Sequence, residues 1–71
     1  MNAETLRING VEHPFGGGLP ANLADLLRQL GLDAATVVAE VDGQIVQRTE
    51  FALTPLRRGQ SIELVRFVGG G

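Results

Sequence analysis

Leu23, Leu26, Leu27 and Leu30 fall at i, i+3, i+4 and i+7, the one stretch of this 71-residue chain that reads convincingly as a helix. Asn22 suits the N-cap, and Asp25 sits in the first turn, where the helix dipole favours a carboxylate. Gly31 suits the left-handed position that closes the C-terminus. A helix over 22–30 is too short to hold its shape alone in water, so its leucine face must be buried against something. The remaining patterns are strand-like, and a sheet is the only available cover.

Glu4 to Asn9 alternates, with Leu6 and Ile8 on one side and Thr5 and Arg7 on the other, as a half-buried strand does. Asn9-Gly10 follows, and the type I′ hairpin turn wants a dipeptide of this kind because both central residues need positive φ. Val11 to His13 should therefore return antiparallel, with Pro14 either ending the pairing or confining it to an edge. Thr36 to Val41 is rich in β-branched residues and places Val37, Ala39 and Val41 inward. Asp42-Gly43 makes a second tight turn, and Gln44 to Arg48 is the returning strand. Phe51, Leu53 and Leu56 are expected to close the open end of the core along an irregular segment interrupted by Pro55. After a turn at Arg58-Gly59-Gln60, Ser61 to Phe67 is the last strand. Ile62 and Leu64 share one face, and Glu63, Val65 and Phe67 share the other.

The order hairpin, helix, hairpin, irregular segment and final strand specifies an α+β fold: a mixed sheet of four to five strands with one main helix on one face. That is the order of the β-grasp, or ubiquitin-like, fold, in which the first and last strands pair in parallel at the centre of the sheet. One domain over 1–71 is expected, near the size at which an apolar core supplies only about 3 to 5 kcal/mol of net stability.

Composition removes several classes of function. A formal charge of −2 and a pI near 5.1 argue against nucleic acid, whose binders gather cations on one face. The chain has no cysteine, which excludes disulfides, thiolate metal sites and a side-chain sulfur nucleophile. Neither a membrane span nor a signal peptide is expected, and the cytoplasm is a compatible location. His13, the single histidine, stands beside Pro14 at a strand end, where a solvated residue is expected rather than a base or ligand. Phe15-Gly16-Gly17-Gly18-Leu19-Pro20 reads as a plain loop, because no Gly-Lys-Ser/Thr follows to make a phosphate cradle. All six cations are arginine, so an activated C-terminus would find no ε-amine on another copy; a compositional preference for arginine explains the same fact.

The ending is the most informative part. Val65 and Phe67 are apolar on the face that the alternation gives to solvent, as a docking surface would be. Beyond them lie Val68 and Gly69-Gly70-Gly71. Glycine has no Cβ and threads a narrow channel in conformations closed to other residues, although a frayed end or an expression remnant has the same composition. A flexible tail over 68–71 is expected, reaching about 14 Å when extended.

Asp42-Gly43-Gln44-Ile45-Val46-Gln47-Arg48, Phe51, Leu56 and then Gly59 through Gly71, ending Ile-Glu-Leu-Val-Arg-Phe-Val-Gly-Gly-Gly, resemble the second half of the ThiS family, the sulfur carriers of thiamine biosynthesis. Leu23-Ala24-Asp25-Leu26-Leu27 and Leu30-Gly31-Leu32 are similar to that family's helix. Gln60 departs from the aspartate common there, and the loop at 15–20 is richer in glycine. The resemblance implies a cosubstrate rather than an enzyme, with no cofactor of its own. A ThiF-type enzyme would adenylate the Gly71 carboxylate, and a sulfur donor such as a cysteine desulfurase would convert it to a thiocarboxylate. A thiazole synthase of the ThiG type would take the sulfur. Val65, Phe67 and Val68 would dock, and Gly69 and Gly70 would enter the channels. A carrier serving molybdopterin, another metabolite or tRNA, and a ubiquitin-like modifier of lysines, share the same fold and tail.

Overall fold

A computed structural model of the chain describes residues 4–67. The tail expected over 68–71 lies outside the described residues. The chain runs β1 (Glu4–Ile8), β2 (Val11–Phe15), α1 (Leu23–Gln29), a 3₁₀ turn (Ala34–Thr36), β3 (Val37–Val41), β4 (Gln44–Val46), a 3₁₀ segment (Arg48–Leu53) and β5 (Ser61–Arg66). The five strands form one sheet in the order β2-β1-β5-β3-β4. β5 lies at the centre, parallel to β1 and antiparallel to β3. This is the mixed sheet with one main helix that the element order specifies.

Both hairpins turn where the dipeptides require. Asn9 and Gly10 have φ of 51° and 83°, and Asp42 and Gly43 have 50° and 84°, the paired positive values of a type I′ turn. Pro14 does not end β2, which pairs Thr5 with Pro14 and Glu4 with Phe15 on the edge of the sheet. The reason is register: with Ile8 and Val11 flanking a two-residue turn, alternate pairs are hydrogen-bonded, and Pro14 falls at a pair that needs no N–H from it.

The helix is capped at both ends. Asn22 Oδ1 accepts from the Asp25 N–H at 2.8 Å, and Asp25 pairs with Arg28 at 2.9 Å one turn on. At the other end Gly31, at φ 73°, donates to the Arg28 carbonyl, and Leu32 donates to the Leu27 carbonyl at 2.9 Å. These two bonds make a Schellman motif, which places Leu32 over Leu27. Leu23, Leu26 and Leu27 are buried, and Leu30 is packed against the core from its margin. Under them lie Leu6 and Ile8 of β1, Val37 and Ala39 of β3, and Ile62 and Leu64 of β5. Val41, expected inward, is partly buried against the same core.

Two expectations for the segment after β4 need correction. β4 stops at Val46 rather than Arg48, because Gln47 opens the 3₁₀ segment and its carbonyl accepts from the Glu50 N–H. Leu53 does not close the core; it is 77% exposed, whereas Phe51 and Leu56 are buried. With three residues per turn, Phe51 facing inward forces Leu53 onto a different side of the segment. The segment also braces the start of the helix, since the Leu23 N–H donates to the Thr54 carbonyl at 2.9 Å and Asn22 bridges to Pro55.

Leu26 has no exposed surface, so Leu26→Ala should cost about 2 to 5 kcal/mol. In a core this small that is a large share of the total stability. Urea unfolding should show a lower midpoint at an unchanged slope.

Candidate functional site

The two faces of β5 differ in burial. Ile62 and Leu64 point to the helix and are buried, so Glu63, Val65 and Phe67 are carried to the opposite face. Val65 is 60% exposed and Phe67 49%, which is where the alternation places them. Antiparallel pairing continues past the regular strand, because the Phe67 N–H donates to the Thr36 carbonyl at 3.0 Å. The chain is therefore still attached to the sheet at the last described residue.

Register brings further apolar side chains to the same face. Val38 lies directly opposite Val65, and Ile45 lies opposite Glu40, which in turn faces Glu63. Val38 and Ile45 are both exposed, so the face has an apolar row at Val38–Val65, Phe67 beyond it towards the end of β5, and a mixed row at Ile45, Glu40 and Glu63. Sequence reasoning found Val65 and Phe67 but missed these two. The same alternation that sends Val37 and Ala39 inward sends Val38 outward, so the signal was present. Ile45 needed the hairpin register. Val11 is exposed as well, but it pairs with Ile8 and belongs to the helix side.

β5 is held from both sides by side chains in the two hairpin turns. Asn9 Oδ1 accepts from the Leu64 N–H at 2.8 Å, and Asn9 Nδ2 donates to the Leu64 carbonyl at 3.1 Å. Asp42 Oδ1 accepts from the Ser61 N–H at 3.0 Å, and the Asp42 N–H donates to the Ser61 carbonyl at 2.8 Å. Both residues read from the sequence as turn formers alone. Their reach across to the last strand depends on which strand lies next to the turn.

His13 is half-buried, beside Leu6 in register, at a shallow cleft of about 340 Å³ shared with Leu30, Leu32, Leu64 and Arg66. Among the described residues no carboxylate lines that cleft to orient the imidazole, and no hydroxyl lines it as a nucleophile. Among the described residues no three metal-ligating side chains come together, and no helix is long and apolar enough to cross a membrane. Arg7 and Glu12 pair at 3.6 Å across β1 and β2, both well exposed, a contact of little energetic weight. Val68, Gly69, Gly70 and Gly71, expected to carry the docking and the chemistry, lie outside the described residues.

The architecture recurs in solved proteins. The crystal structure of a thiamine biosynthesis protein (ThiS) from Geobacter metallireducens superposes with a TM-score of 0.81 at 31% identity, covering 94% of this chain and 99% of that one. An NMR solution structure of a thiamine biosynthesis protein from the same organism gives 0.78 at 31% identity, over 94% of this chain and 87% of that one. A thiazole synthase from Paramagnetospirillum magneticum is 35% identical over 66 residues. The match takes in 93% of this chain but 20% of the relative, so the chain spans about a fifth of that protein's length. The ThiS family model matches residues 2–71, and with it the mixed sheet and the exposed end of β5 find one explanation: the chain belongs to the ThiS family.

Proposed function

We propose that this chain carries sulfur as a thiocarboxylate on Gly71 and delivers it to thiazole formation, acting as a cosubstrate and not as an enzyme. The observation that bears most on this reading is the position of β5. The strand that runs into the glycine tail is the central one, hydrogen-bonded on both sides, and its exposed face is apolar towards the tail. A partner can grip a rigid surface there while the tail enters its active site.

The chemistry starts from a poor acyl donor. In this reading a ThiF-type enzyme joins the free Gly71 carboxylate to the α-phosphate of ATP, breaking the α–β anhydride and releasing pyrophosphate. The outer sulfur of a persulfide on a cysteine desulfurase or another donor then attacks the acyl carbon and displaces AMP, and a thiol reduces the resulting acyl disulfide, leaving one carboxylate oxygen replaced by sulfur. Val65, Phe67 and Val68 dock on the partner, and Gly69 and Gly70 occupy the channel, where a Cβ would obstruct entry. ThiG-type thiazole synthase is the acceptor. Support for that partner comes from the Paramagnetospirillum thiazole synthase, one polypeptide of which a fifth resembles this chain. The reactions are placed in the cytoplasm, where ATP is at hand.

Intact mass after incubation with an adenylating enzyme from the same source, ATP and a sulfur donor is the direct test. The expected gain is one oxygen-for-sulfur exchange, mapped to Gly71; no gain with a demonstrably active enzyme would sink the proposal. Deleting Gly71, or replacing it with alanine, should abolish the gain and leave the melting temperature unchanged. The double variant Val65→Ser with Phe67→Ser removes exposed apolar surface, so it should shift stability by no more than about 1 kcal/mol. Its KM in the adenylation reaction should nevertheless rise several-fold, and an unchanged KM would place docking elsewhere.

A further inference from the structure

Asn9 stands where β1 stops and β5 goes on. The backbone register between these parallel strands ends at Ile8 and Ile62, and the Asn9 N–H makes a last main-chain bond to the Ile62 carbonyl at 2.9 Å. Leu64, two residues further along β5, would then have its N–H and C=O turned towards an edge with no strand on it. The Asn9 carboxamide meets both groups, at 2.8 Å and 3.1 Å. A side-chain amide presents the same donor and acceptor as a peptide unit, so Asn9 extends β1 by one pairing step without extending its backbone. Only a residue that tolerates φ of 51° and also carries a carboxamide meets both demands.

β5 is therefore fastened on both edges as far as Leu64. Beyond that point the described chain is held by β3 alone, through Val37, Val38 and the Thr36 carbonyl. The next residues are Val65, Arg66 and Phe67, whose apolar members form the exposed end of the face described above. We propose that Asn9 is a positioning residue for carrier activation: it fixes the root of the tail at Leu64, so that Val65 and Phe67 are presented to the adenylating enzyme in a set geometry. This inference rests on the tail chemistry proposed above and adds a residue remote from the tail in sequence, 55 positions from its partner.

Asp42 supplies an internal control. It makes the comparable contact to Ser61, at the opposite end of β5 from the tail. In the full chain, Asn9→Gly keeps the positive φ and removes both bonds to Leu64. Asn9→Asp keeps an acceptor for the Leu64 N–H but sets an oxygen against the Leu64 carbonyl, and Asp42→Gly removes the bond to Ser61. Amide hydrogen exchange and the steady-state kinetics of ATP-dependent adenylation, followed by pyrophosphate release, are measured on all three and on the wild type.

Asn9→Gly should lose protection at the Leu64 amide while Leu26 stays protected, and should raise KM for the carrier roughly tenfold. Its kcat should stay within about twofold, because the reacting carboxylate is unaltered once docked. Asn9→Asp should fall between Asn9→Gly and the wild type. Asp42→Gly should lower the melting temperature and leave KM unchanged. Equal KM shifts in the Asn9 and Asp42 variants would reduce Asn9 to a general stabiliser and overturn the inference. So would an unchanged KM in Asn9→Gly with its Leu64 amide exposed. A wild-type chain that is never adenylated sinks the tail chemistry and this inference together, a result that the wild-type reaction alone separates from failure of the positioning.

Discussion

The structure depends on the pairing of β5 between β1 and β3. A last strand laid at the centre of a sheet closes the longest-range contacts in the chain, and here Ile62 and Leu64 complete the floor on which the helix rests. Before β5 is in place the two hairpins share no strand-to-strand bond, and the leucine stripe has only half a surface to cover it. A small chain with no disulfide has few other means of cohesion. The strand that completes the core is thus also the one that leads into the tail proposed to carry the chemistry.

That coincidence explains a division of labour along β5. The inward residues are committed to the core, so the outward ones are free to be apolar without cost to folding beyond their own exposure. Two-sided hydrogen bonding as far as Leu64 stiffens the strand that leads to Val65 and Phe67, and stiffness lowers the ordering penalty of the docking proposed there. Glu40 facing Glu63 adds negative charge within the same face, in a chain that is acidic overall. Under the proposed function the carrier passes between enzymes, and it gains from a surface that does not rearrange between them.

Much of this was legible in the residues. The leucine spacing, Asn22 and Gly31 located the helix and its caps, and Asn9-Gly10 and Asp42-Gly43 located both hairpins, because these signals are local and each has a single physical cause. The exposed Val65 and Phe67 followed from alternation. Leu53 was misplaced because hydrophobicity was read without the period of a 3₁₀ segment. The length of β2 was left open at Pro14, since only register tells whether a missing N–H matters. Val38 and Ile45 were overlooked for a related reason: a surface patch is assembled across strands.

What the sequence determined by itself is therefore the helix and the five strands, the caps and hairpin turns between them, and the side of each strand that faces the core. These follow from backbone dihedrals and from the periods of helix and strand, which act over a few residues. The tertiary structure decided the register in which the strands meet, and with that the roles of Asn9 and Asp42 as clamps on β5 in addition to turn formers. A hydrogen bond between residues 55 positions apart leaves no trace in local pattern, because it exists only once the last strand has settled between the first and the third.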